Sequence, residues 1–146
     1  MNGNYSSRLS AALVIAAAAV LLVSCGSAKQ NLALAKDAVT EFHSQLDLAQ
    51  YSALYTASDE KLHNATTEAD FTKLLEAVHT KLGMVRDSTL QGERVAWFAG
   101  EGATVTLAYD TKFSAGSGAE QFVWHITGGR AQLYGYHINS NDLITK

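Results

Sequence analysis

Proline is absent from the 146 residues, cysteine occurs once, and only 17% of the side chains are charged. One thiol cannot close an internal disulfide, and with no CxxC pair or His/Cys cluster the chain offers no metal site and calls for no cofactor. The length allows one small domain at most. Setting aside the first 24 residues removes Arg8 alone among the charged side chains, leaving 10 basic against 14 acidic groups, a net of −4. With no Lys/Arg cluster to overrule that average, the surface repels phosphate backbones, which excludes nucleic acid and argues against anionic lipid. There is no G-x-S-x-G elbow and no glycine-rich strand-to-helix loop to cradle phosphate.

What the chain does have is an unbroken apolar run of 13 residues, Ala11 to Val23, preceded by Arg8 and the free amine. It is too short to span a bilayer and matches the hydrophobic region of a secretory leader. The residues at its end, Leu22-Val23-Ser24-Cys25, resemble the bacterial lipobox. That resemblance implies cleavage before Cys25, acylation of its sulfur and new amine by diacylglycerol and a palmitate-like chain, and an address in the cell envelope. Several acyl chains on one residue make release from a membrane very slow, whereas one holds only marginally. Gly26, where Asp would favour inner-membrane retention, points to the outer membrane facing the periplasm. The organisation expected is a lipoprotein signal peptide at 1–24, a lipidated Cys25 and tether through Gln30, and a single α+β domain at 31–146.

In that domain Leu32, Ala35, Val39, Phe42 and Leu46 recur at three- and four-residue steps, one face of an amphipathic helix to about Leu48. A shorter helical piece carries Tyr51, Leu54 and Tyr55, with Ser58-Asp59 as a stop or new cap. Thr67 with Asp70 caps a third helix whose stripe is Phe71, Leu74, Leu75, Val78 and Leu82, closed by Gly83. After Leu90 the period changes to two. Strands are predicted at Glu93–Ala99, Ala103–Phe113, Glu120–Thr127 and Arg130–Ile138, with a Ser/Ala/Gly loop at 114–119 and a Gly128-Gly129 turn. Helices first and strands after predict an α+β fold, the helices packed on one face of a curved antiparallel meander sheet of about four strands.

A two-residue Gly128-Gly129 turn sets Trp124 opposite Leu133, Phe122 opposite Gly135 and Glu120 opposite His137. Placing Phe113 opposite Glu120 then gathers Val95, Trp97, Val105, Leu107, Tyr109, Phe122, Trp124, Ile126 and Leu133 on the face that buries the helices. The other face alternates Phe98, Val123, Tyr134, Tyr136 and Ile138 with charged and polar residues, a pattern suited to protein contact and to a homodimer through the sheet.

The segments Gln50–Tyr55, Leu82–Val85, Val105–Phe113 and Tyr134–Ser140 are similar to those of short uncharacterised bacterial lipoproteins with a nuclear-transport-factor-2-like (cystatin-like) cone, a domain of unknown function. The resemblance implies a shape and an address but no reaction, since that fold hosts isomerases, dehydratases, transport factors and adaptors.

Two functional readings follow. In the first the body is a non-catalytic ligand- or partner-binding module, with Phe98, Val123, Tyr134 and Tyr136 as interface candidates. In the second it is a pocket enzyme of the isomerase or dehydratase kind. Glu120 and His137 then act as base and orienting partner, and Tyr109 donates to a developing oxyanion. The Asp that serves as base in isomerases of similar fold has no counterpart here. Of the remaining histidines, His43 and His79 lie on helices without a partner at three or four residues, His63 sits in a polar connection, and His125 faces Gln132 on the opposite side of the sheet.

Overall fold

The computed structural model describes residues 27–145; the leader, Cys25 and Gly26 lie outside the described residues. Helix α1 occupies 27–47, so the described part of the expected tether, 27–30, is helical. Ala35, Val39, Phe42 and Leu46 are buried along one side, as their spacing predicts. The helix stops in a Schellman motif: Gln50 N–H bonds the Gln45 carbonyl, Ala49 N–H bonds that of Leu46, and Ala49 takes φ 55°. This position is ordinarily glycine's, and nothing in the composition of the segment announces it.

Helices α2 (Tyr51–Thr56), α3 (Glu60–Ala65) and α4 (Glu68–Leu82) follow. The Ser58-Asp59 stop resolves into a cap: the Asp59 side chain accepts from Lys61 N–H and starts α3. Thr67 caps α4 by accepting from Asp70 N–H, and Gly83 closes it at φ 82°. Phe71, Leu75, Val78 and Leu82 form its buried stripe, while Leu74 stands 38% exposed.

The sheet is an antiparallel meander, β1 (Val85–Phe98), β2 (Gly102–Phe113), β3 (Ser117–Thr127) and β4 (Arg130–Asn139), in that spatial order, with helix α5 (Asn141–Thr145) after it. From Asn31 onward the chain forms one compact unit. Strand β1 starts well before the predicted Glu93. Its outward edge carries charged side chains and two bulges, at Arg86 and Gln91, devices that discourage edge-to-edge association. The opposite edge, β4, is partly covered where Asp59 N–H bonds the Leu133 carbonyl.

Register differs from expectation in two places. The β2–β3 connection is only Ser114-Ala115-Gly116, so Glu120 pairs with Tyr109 and Phe122 with Leu107, not with Phe113 and Thr111. A displacement of four keeps every side chain on its predicted face. On β4 the pairing Trp124↔Leu133 holds, but Val123 pairs with Gly135, so Tyr134 is an extra residue in a bulge. Beyond it the faces exchange: Tyr136 turns into the core opposite Phe122, and His137 turns out opposite Gln121. Phe122 is the hub, with Phe42 edge-on at 5.1 Å, Tyr136 at 5.2 Å, His43 at 5.6 Å and Trp124 stacked at 6.2 Å. Trp97 shares the inward face yet is 55% exposed, since it stands at the hairpin tip beside Ala103.

Candidate functional site

At the centre of the inward face lies a carboxyl group almost without solvent: Glu120 is 2% exposed. Its Oε2 meets His43 Nε2 at 2.8 Å and accepts from Thr111 Oγ1 at 2.5 Å, and its Oε1 accepts from Tyr136 Oη at 2.7 Å. Because Thr111 spends its one proton on Glu120, the 2.8 Å contact between Ser88 Oγ and Thr111 Oγ1 has Ser88 donating. Three elements therefore converge on the Glu120 side chain, α1 through His43, β2 through Thr111 and β4 through Tyr136, and β1 reaches it at one remove through Ser88 on Thr111. Burial, then the charge and hydrogen bond of Glu120, hold the Tyr136 phenol well above its ordinary range, so it stays a donor.

Of the expected catalytic group, Glu120 is present but sealed. His137 is exposed on the other side of the sheet because of the Tyr134 bulge, so the Glu120–His137 pair is not formed. Tyr109 is Glu120's cross-strand neighbour and half-buried; burial raises its phenol, with Glu93 adding to the effect and Lys36 opposing it. Neither the two larger clefts described below nor the apolar crevice has Glu120 or Tyr136 in its wall. The imidazole that does meet Glu120 is His43, 77 residues earlier. Its sequence signal is available in retrospect: on α1 His43 follows Phe42 at the edge of the buried stripe, where a polar residue needs a partner from the sheet.

The outer face is open. A cleft of about 620 Å³ lies between α3 and the ends of the β1–β2 and β3–β4 hairpins, walled by Lys61, Asn64, Phe98, Glu101, His125 and Tyr134. His125 anchors it. Nδ1 lies 2.7 Å from Asp59 Oδ2 and Nε2 lies 2.5 Å from the Glu101 carbonyl, so both ring nitrogens face acceptors and the arrangement favours the imidazolium. The Glu101 carbonyl and the Asp59 side chain accordingly raise the imidazole above its usual range, against partial burial. Burial alone would push the Asp59 carboxyl up, but the Lys61 N–H and the hydrogen bond and charge of His125 hold it low. Lys61 Nζ stands 5.1 Å over the Tyr134 ring.

Of the interface candidates, Phe98 is 54% exposed and Val123 and Tyr134 are half-exposed, while Tyr136 is withdrawn into the core. A second cleft of about 640 Å³ lies along Asp110, Lys112, Ser117 and Asn139, and an apolar crevice of about 110 Å³ between Phe42, Leu54, Trp124 and Leu133. Among the described residues no three His, Cys, Asp or Glu side chains come together as metal ligands, and no helix is long and apolar enough to cross a membrane.

A family model matches residues 38–136, from the middle of α1 into β4. The chain belongs to the DUF4019 family. That family is described as a protein of unknown function, and its matched span contains His43, Thr111, Glu120 and Tyr136 together with the outer cleft. No curated protein matches the chain.

Proposed function

We propose that this DUF4019 protein is a lipid-anchored bacterial envelope protein whose α+β body, a cone of the nuclear-transport-factor-2-like kind, binds a partner without catalysis. One observation carries the non-catalytic half. The interior carboxylate and imidazole are consumed by each other and by two hydroxyls, while the open cleft around Lys61, His125 and Tyr134 presents aromatic and charged groups together. The anchoring half rests on the apolar run that ends in Leu22-Val23-Ser24-Cys25. Attachment to a membrane raises the local concentration of any membrane-associated partner without a new contact.

Intact mass of the natural product tests the anchor: an acylated Cys25 as first residue is expected, and an uncleaved leader or free thiol there overturns it. A photo-crosslinker at Tyr134 in the native envelope tests the cleft. Capture of one partner, abolished by Lys61→Glu in a protein of unchanged melting point, is expected; capture indifferent to Lys61→Glu refutes this use of the cleft. A captured second copy would make the contact a homodimer through the sheet face.

A further inference from the structure

The β1–β2 hairpin ends in Trp97-Phe98-Ala99-Gly100-Glu101-Gly102, and its two rings keep 55% and 54% of their surface exposed. No other Trp, Phe or Tyr among the described residues is exposed. Successive strand residues point to opposite faces, so the rings flank the tip on both sides.

The position of this tip relative to the start of the body is fixed by contacts along α1. Asp47 Oδ1 accepts from Val85 N–H at 2.9 Å, where β1 begins, and Lys36 Nζ reaches Glu93 Oε2 at 2.7 Å, nearer its end. Helix and strand therefore run antiparallel. Five further residues, at roughly 1.5 Å each, bring Asn31 about level with Val95, within a few residues of Trp97. Cys25 precedes Asn31 by six positions, a span of at most about 20 Å even when fully extended. On the anchored reading proposed above, on which this inference rests, the acyl chains thus hold the tip end of the body close to the bilayer. Met84, 46% exposed, marks the other end of β1, roughly 40 Å away at about 3.3 Å per residue.

The geometry points to the hairpin tip as a second membrane contact, Trp97 and Phe98 seating in the boundary between headgroups and acyl chains. An indole suits that boundary, its ring apolar and its N–H free to meet a headgroup. The absence of a basic cluster and the presence of Glu101 in the turn commit the surface to zwitterionic lipid. Anchor and tip together would hold the body in one orientation, with the cleft that Phe98 and Glu101 share with Lys61 and Tyr134 opening at the membrane surface, within reach of a membrane-associated partner.

Reconstituting the mature, lipidated protein in phosphatidylcholine vesicles with and without brominated acyl chains tests this, because Trp97 and the buried Trp124 are its only indoles after Cys25. Emission is expected to shift to the blue on reconstitution and to be quenched by the brominated lipid. The Trp97→Phe variant should lose both responses. A Trp97→Phe/Met84→Trp protein, with its indole at the far end, should not be quenched. An acylated, vesicle-bound protein whose Trp97 stays red and unquenched overturns the tip contact and leaves the anchor standing. A blue-shifted but unquenched Trp97 means a second copy covers the tip, and equal quenching at Met84→Trp means the body has no fixed orientation; both overturn the inference. A product without acyl mass overturns the anchor itself.

Discussion

Replacing His43 by Leu isolates the buried carboxyl from its imidazole. In the native protein Glu120 is satisfied by three donors, of which His43 alone can also carry positive charge. Leucine fills much of the imidazole's space and donates nothing, leaving a carboxyl with 2% exposure only the neutral Thr111 and Tyr136 hydroxyls as donors. Breaking a buried pair in this way costs about 3–5 kcal/mol. For a body of this size, with total stability on the order of 10 kcal/mol, that is a third to a half. Tyr136→Phe removes one neutral donor and should cost less, about 1–3 kcal/mol. Urea unfolding at constant slope gives both values. The double variant His43→Leu/Glu120→Leu supplies the control. It removes both members of the pair and leaves only the neutral Thr111 and Tyr136 hydroxyls without their acceptor, so it should cost less than the two single changes added together, a coupling energy well above about 0.5 kcal/mol. A His43→Leu cost below about 1 kcal/mol, or strict additivity in the cycle, would show that solvent reaches Glu120 and that the sealed interior is wrongly described.

Three other perturbations act on backbone and surface. Asp59→Asn keeps a good N-cap for α3 while removing the charge beside His125, so its cost reports that pair. His125, raised above 6.5, contributes fully below that pH and its share is lost as pH rises through the higher folded value, while Asp59, lowered below 3.8, loses its share as pH falls; melting curves should show the largest wild-type advantage between about pH 4 and 6.5, and a gap independent of pH would refute the pairing. Ala49→Gly should stabilise by about 0.5–1 kcal/mol, since φ 55° strains an L-residue, and any loss in thermal stability would contradict the Schellman stop. Gly102→Ala should cost more than Gly100→Ala, although both have positive φ. The added Cβ at Gly102 would stand 2.6 Å from the Ile126 carbonyl, whereas at Gly100 it meets nothing within 4 Å; equal denaturation midpoints would refute the close approach.

Much of the architecture is legible in the residues alone because burial imposes a period. The stripes of α1 and α4, the Thr67 cap, Gly83 at the end of α4 and the alternation along β2 and β3 are each written locally, and the structure follows them. Even the misjudged β2–β3 loop did no harm to the faces, since its error was an even number of residues. The candidate site fared differently. Its chemistry depends on which imidazole lies against Glu120, and that choice turns on parity in β4, where one extra residue exchanges inside for outside. The interface candidates suffered the same inversion: Tyr136 went inward while Tyr134, in the bulge itself, kept its outward place above Lys61.

The bulge is therefore the decisive feature of β4, and its placement has a physical cause. Without it, Tyr136 would face solvent and His137 would stand opposite Glu120, a carboxylate paired with a residue carrying no large apolar ring. With it, a tyrosine both packs against Phe42 at 4.9 Å and Phe122 at 5.2 Å and donates to Glu120 from the same side chain. Gly135 lies next to the irregularity, and a Cβ there would meet only Val123, at 3.8 Å, so the glycine is not required by crowding. Its contribution is backbone freedom at a point where the strand must bend. The sheet thus uses one unpaired residue to close its interior around a single acid. The charged and aromatic groups that face solvent together lie instead in the outer cleft, around Lys61, His125 and Tyr134.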